Sequence, residues 1–262
     1  MSTRNRLVWL CILLGSGLLL AACQQCITTP SKSLLTPRVI NHPQPLLALS
    51  NPNAFSDAGC PPQENGHQIC EKDSPLKALG CDSVKEPSNL LGGLDPHFPI
   101  MLCLIEPSLH EQPDQINAQV FAPGQFIYRS YDLVPTYYRY VIRRDNQFQL
   151  IKTRTEFEAV YTPVESEDEA LSYALAITGF SARYGLTIQS DYHYLTNELE
   201  DTYVEKTEQG YEVYLYDELE CGGCRPHTTS SDSVIVTTNG KVVLRGKMPI
   251  FEDPQGNEGC IN

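Results

Sequence analysis

Two cysteines separated by two glycines, Cys221-Gly222-Gly223-Cys224, with His227 three residues further on, form the sharpest chemical motif in the chain. A pair at this spacing cycles between dithiol and disulfide when a helix N-terminus or a nearby cation lowers the pKa of one thiol. Here Glu218 and Glu220 stand beside it, and carboxylates disfavour a thiolate. Together with His227 the two thiolates would make three zinc ligands, but no second close pair supplies a clear fourth. A structural disulfide role is the preferred reading of Cys221 and Cys224, with redox or metal chemistry in an envelope enzyme as the alternative.

Other reactive patterns lack their required setting. Ser74-Pro75-Leu76-Lys77 has the serine–lysine spacing of acyl transfer, yet it lies in a proline-containing loop without the partner motifs that chemistry uses. Gly179-Phe180-Ser181-Ala182-Arg183 begins like a nucleophile elbow but lacks the second glycine and follows a helical pattern rather than a strand. The six histidines, at 42, 67, 97, 110, 193 and 227, show no paired metal spacing, and there is no glycine-rich phosphate loop. The expectation is a protein without catalytic activity, cofactor or metal.

Recognition chemistry offers more candidates. All 14 tyrosines fall between Tyr128 and Tyr216, and Tyr137, Tyr138, Tyr140, Tyr192 and Tyr194 lie in strand-like runs where alternate side chains point outward. They form a possible binding surface, although tyrosine is also a good half-buried strand former. Acids gather at Glu198, Glu200, Asp201, Glu205, Glu208, Glu212, Asp217, Glu218 and Glu220, with Lys206 the one basic residue in that stretch. No calcium-loop spacing accompanies them, so they read as a solvated face. The chain has 19 Lys+Arg against 32 Asp+Glu, a formal net charge of −13. That is the wrong balance for neutralising phosphates, and nucleic acid is excluded as a partner.

The elements that must carry these residues are legible in part. With 262 residues and 41% hydrophobic content the chain has enough apolar material for one sizeable core. Thirteen of the 19 prolines lie between Pro30 and Pro113, where long helices and central strands are implausible. Residues 23–59 therefore read as a proline-rich tether and 60–115 as a loop-rich segment stapled by disulfides, with Ile100 to Ile105 a strand docking it onto the core. Residues 116–262 read as an α+β domain, an antiparallel meander packed by one main helix. Its strands are expected at 125–131, 136–144, 147–152, 201–208, 211–219, 233–238 and 241–247, the last two around an Asn239-Gly240 hairpin turn. Thr155-Glu156-Phe157-Glu158 suggests a capping box for a short helix. Ser166-Glu167-Asp168-Glu169 opens the main helix, with Ala170, Leu171, Ala174, Leu175 and Thr178 as its buried face and Gly179 at its end.

The first 22 residues read as a signal peptide. Arg4 and Arg6 precede an apolar stretch from Leu7, and the run to Ala22 is too short and too glycine-interrupted for a span. Leu20-Ala21-Ala22-Cys23 resembles the lipobox of bacterial lipoproteins. The resemblance implies cleavage before Cys23, a diacylglyceryl thioether on its sulfur, and anchorage to the lipid bilayer by two or three acyl chains. Gln24 lacks the aspartate of the inner-membrane retention signal, which places the protein on the outer membrane of a two-membrane cell, or on the outer face of the plasma membrane otherwise. Removing the leader leaves eight cysteines besides Cys23. Cys26, Cys60, Cys70, Cys81, Cys103, Cys221, Cys224 and Cys260 are the disulfide candidates, in an oxidising compartment. Adjacent pairing is expected in the loop-rich segment, with Cys260 tying down the C-terminal tail and Cys26 a candidate free thiol.

The stretch from Glu165 to Lys247 resembles, loosely, the PepSY-type module of secreted and membrane proteins. The resemblance rests on the acidic opening of the helix at Ser166 to Ala176, the strand Tyr211 to Leu215 and the closing Val234 to Val242. It implies an inhibitory or ligand-binding role. The partner expected is an envelope protein or ligand of unknown identity.

Overall fold

The computed structural model describes residues 35–61, 67–105, 126, 128–129, 137–218 and 227–253. The chain enters as a short strand β1 (Arg38–Ile40), runs extended past Pro43 and Pro45, and turns through 3-10 segments at Pro52–Ala54 and Ser56–Ala58. From Leu35 onward the segment read as a tether is therefore packed on the domain. Val39, Leu49, Ala54 and Phe55 supply apolar surface for that packing, while the prolines keep the path extended.

Strands β2 (His67–Ile69), β3 (Ser83–Lys85) and β4 (Ile100–Ile105) follow, with a one-turn helix α1 (Pro75–Ala78) and a 3-10 segment at Asn89–Gly93 between them. They join β5 (Tyr128–Arg129), β6 (Tyr137–Arg144) and β7 (Gln147–Leu150) in one antiparallel sheet. β6 pairs with β4 along one edge and with β5 and then β7 along the other. The sheet thus runs across residues 115/116, where the sequence suggests a boundary. Asp145 and Asn146 take φ of 52° and 60°, the two left-handed residues that a tight β6–β7 hairpin requires.

Two helices come next. α2 (Arg154–Tyr161) is capped two residues earlier than the Thr155 box implies: Thr153 Oγ1 accepts from Glu156 N at 3.1 Å, and Glu156 Oε2 accepts from Thr153 N at 3.2 Å. α3 (Glu167–Thr178) is capped as expected by Ser166, and it ends at Gly179 with φ 70°, whose N–H donates to Leu175 O. Its surroundings differ from expectation. Every residue from Ala170 to Ile177 is buried, instead of one stripe.

A short strand β8 (His193–Tyr194) and β9 (Glu198–Glu200) precede the meander β10 (Tyr203–Thr207), β11 (Gly210–Glu218), β12 (His227–Val236) and β13 (Val242–Asp253). The second sheet has the order β10-β11-β12-β13-β8, and β1 pairs with β9 in parallel. The Asn239-Gly240 turn is present within a five-residue connection, closed by Thr237 N donating to Lys241 O. The architecture is α+β.

The core explains the buried helix. One cluster takes Ile100, Tyr140 and Ile142 from the first sheet, Phe157 and Tyr161 from α2, most of α3, and Val213, Leu215, Val234 and Val236 from the second. The outer face of the first sheet buries Met101, Cys103 and Val141 against Phe55 and Leu76. The outer face of the second buries Tyr216, Ile250 and Phe251 against Tyr194 and Leu199, where the sequence suggests a solvated face. With the helices as the middle layer between two covered sheets, an apolar stripe becomes an apolar cylinder.

Close approach to α3 needs small residues. Ser172, fully buried, accepts from Gly93 N at 3.0 Å and donates to Leu90 O at 2.5 Å. A Cβ on Gly93 would stand 2.4 Å from Asp168 O, and one on Gly92 would stand 2.2 Å from Ala48 O. Gly92→Ala and Gly93→Ala should each cost about 1–3 kcal/mol by forcing backbone apart. Gly246→Ala, with open space at its Cβ, should change stability by no more than about 0.5 kcal/mol. Urea unfolding of the three variants checks the contrast.

Candidate functional site

The expected cysteine pairing is present where it is described: Cys60–Cys70 and Cys81–Cys103 form disulfides inside the outer cluster of the first sheet. Cys23, Cys26, Cys221, Cys224 and Cys260 lie outside the described residues, as do Gly222 and Gly223. Among the described residues no group of three or more His, Cys, Asp or Glu is placed to hold a metal ion, and no helix is long and apolar enough to cross a membrane.

Of the five tyrosines offered as a possible binding surface, three are buried and two keep part of their surface. Tyr137, Tyr140 and Tyr194 are buried, and Tyr138 and Tyr192 are half-buried. Tyr140 packs on Phe126 and Phe157, with burial pushing its phenol pKa up. Tyr194 accepts from Gln189 N at 2.7 Å, and Tyr192 stacks on Phe251 at 4.8 Å between ring centroids. Strand alternation sends half of these side chains to each face, but both faces are covered here, so alternation brings little exposure.

The most organised polar constellation centres on Asp201, which the sequence reading assigned to a solvated face. It follows β9 and is fully buried. Its Oδ2 accepts from Gly185 N at 2.9 Å, Asn41 Nδ2 at 3.1 Å and His42 N at 3.2 Å, and its Oδ1 accepts from Leu186 N at 2.9 Å. Burial alone would raise its pKa, but the four hydrogen bonds outweigh it and hold the carboxyl below its ordinary range. Beside it, His42 Nε2 meets Glu200 Oε1 at 2.9 Å. One carboxylate thus clasps three distant pieces: the strap that follows β1, the loop after α3, and the entry to β10.

The strap roofs a cleft of about 220 Å³ whose lining includes Pro43, Pro45, Leu171, Val204 and Tyr184. Glu167 and Asp168, from the first turn of α3, complete its wall. The Tyr184 phenol is pushed up to about 12, by burial first and then by the charges of Asp201 and Asp168. Tyr203, also in the wall, lies between His42 and Tyr214, at centroid distances of 4.8 Å and 5.4 Å. Arg183, next to Tyr184 in the chain, instead places its guanidinium over Tyr216 and Phe251.

Comparison of the chain with known protein families, with curated proteins and with solved structures gives no match. The arrangement itself is what bears on chemistry. Asp201 has its acceptor capacity taken up by donors within the fold, so its role is to hold the strap in place. The cleft is one of several concave polar–apolar features among the described residues, and the one that the strap closes over. Sequence reasoning missed both because Asp201 is 159 residues from His42 and 15 from Leu186.

The clasp makes a pH prediction. Because the folded pKa of Asp201 is depressed from 3.8, its stabilisation is complete above that unfolded value and is lost as pH falls through the lower folded one. Asp201→Asn should cost about 2–4 kcal/mol near neutral pH, since buried N–H donors lose a charged acceptor. Urea titrations of both proteins should show that difference shrinking as pH falls below about 4.

Proposed function

We propose that the protein is a lipid-anchored, extracytoplasmic lipoprotein of a bacterial envelope, in which the α+β domain serves a binding or structural role and carries no reaction. The observation that carries this reading is the leader ending in Leu20-Ala21-Ala22-Cys23, with basic, apolar and small-residue regions in order. Support comes from the Cys60–Cys70 and Cys81–Cys103 disulfides, which belong to an oxidising compartment. The resemblance of Glu165 to Lys247 to PepSY-type modules favours ligand binding or inhibition over catalysis.

In this reading the mature chain begins at Cys23, and two or three acyl chains of about 0.8 kcal/mol per buried methylene hold it on the membrane.

The intact mass of membrane-extracted protein tests the anchor. The expected mass exceeds that of Cys23 to Asn262 by glycerol and two or three acyl chains, and Cys23→Ala should abolish the increment and release the protein from the membrane fraction. An unlipidated mass overturns the anchor. Thiol labelling confined to Cys221 and Cys224 without reduction would instead point to redox or metal chemistry at that motif.

A further inference from the structure

We propose that the cleft beneath the strap binds an alkyl cation: an apolar stem ending in an ammonium or guanidinium group, as in a lysine or arginine side chain. The inference rests on reading the domain as a binding module and is independent of the lipid anchor. Three features of the cleft argue for this ligand chemistry.

The first is shape and wall chemistry. Pro43, Pro45, Leu171 and Val204 give apolar contact for a methylene stem within about 220 Å³, and the Tyr184 ring stands beside them. A side chain that buries its stem and presents a charged head suits such a mixed wall, and a phenol ring attracts a nearby cation.

The second is charge. Glu167 and Asp168 line the cleft, and among the described residues neither has an ion-pair partner. A few acids elsewhere are engaged, Asp82 with Lys77, Asp217 with Lys247 and Glu200 with His42, and what sets Glu167 and Asp168 apart is their place on the cleft wall. No lysine or arginine lines the cleft, and His42, the one wall residue able to become positive, already faces Glu200. An anion entering would meet two carboxylates, whereas a cation would be drawn to them, in a chain whose net charge of −13 already favours approach of positive groups.

The third concerns what the helix end uses. Acids in a first turn are favourable to the helix dipole, but the hydrogen-bonding work at this end is done by other residues. Ser166 Oγ accepts from Glu169 N, and Glu169 Oε2 accepts from Glu165 N. Glu167 and Asp168 are exposed.

Titration calorimetry at low ionic strength on the full-length protein in non-ionic detergent tests the proposal. The probes are n-butylammonium, a blocked glycine-rich peptide with one lysine, and the same peptide with that lysine acetylated. The amine and the lysine peptide should bind, and the acetylated peptide should not. Glu167→Gln with Asp168→Asn should weaken binding roughly tenfold, by removing two exposed charge contacts. Glu205→Gln with Glu208→Gln removes the same charge elsewhere and should change affinity by no more than about twofold. Tyr184→Leu should weaken binding as well.

Binding by the peptide alone identifies a basic segment of a protein partner; binding by butylammonium alone identifies a small amine. Equal loss in the two double variants, equal binding of the acetylated peptide, or no binding at all overturns the proposal. All four acids are exposed, so both double variants should keep the wild-type fold by circular dichroism, with the Glu167/Asp168 variant unfolding slightly earlier for loss of its helix-dipole contacts. Acylated protein without cleft binding defeats this inference alone, and unacylated protein that still binds defeats the anchor alone.

Discussion

Ser172 accepts from Gly93 N and donates to Leu90 O, and these two buried bonds mark the contact on which the rest of the molecule is arranged. They hold α3 against the 3-10 segment at Asn89–Gly93 at a separation that excludes even a methyl group. From Ala170 to Ile177 the helix buries apolar and aromatic side chains together with Ser172, whose hydroxyl the fold pairs with Gly93 and Leu90. Everything else forms layers around this helix. One sheet lies on each side, a disulfide-stapled cluster covers the outer face of the first, and β1, β9 and the loop after α3 cover that of the second.

The strap depends on a second polar device. A three-residue parallel pairing of β1 with β9 is too short to hold a proline-rich segment alone, and the prolines within it donate no hydrogen bonds. Asp201 supplies what is missing by accepting from both the strap and the loop beyond α3. A buried carboxylate without donors would be costly, so the same four bonds that hold the strap are what keep the charge tolerable. The cleft is a by-product of this geometry. The strap crosses in front of the first turn of α3 at a distance that leaves room for a side chain.

Local signals were read where local physics decides the outcome. The Ser166 cap and the Gly179 terminus of α3, the turn at Asp145-Asn146, and the strand Ile100–Ile105 each follow from a few adjacent residues. So does the pairing of neighbouring cysteines in the loop-rich segment, where loop closure is least demanding. The misreadings share another origin. The tether from Leu35 on, the single stripe on α3, the possible tyrosine surface and the solvated reading of Asp201 all assumed one covered face per element. An apolar tyrosine face looks the same in sequence whether one layer or two lies over it.

The acidic balance and the α+β class were determined by the sequence itself, because composition and short-range periodicity carry them. The tertiary structure decided which acid is a buried acceptor, which tyrosines are hidden, and that a proline-rich strap meets the start of α3. Those outcomes join residues 41–42 to residues 185–186 and 201 through hydrogen bonds. Such contacts leave no periodicity or spacing in the chain, since their geometry exists only after the layers have packed.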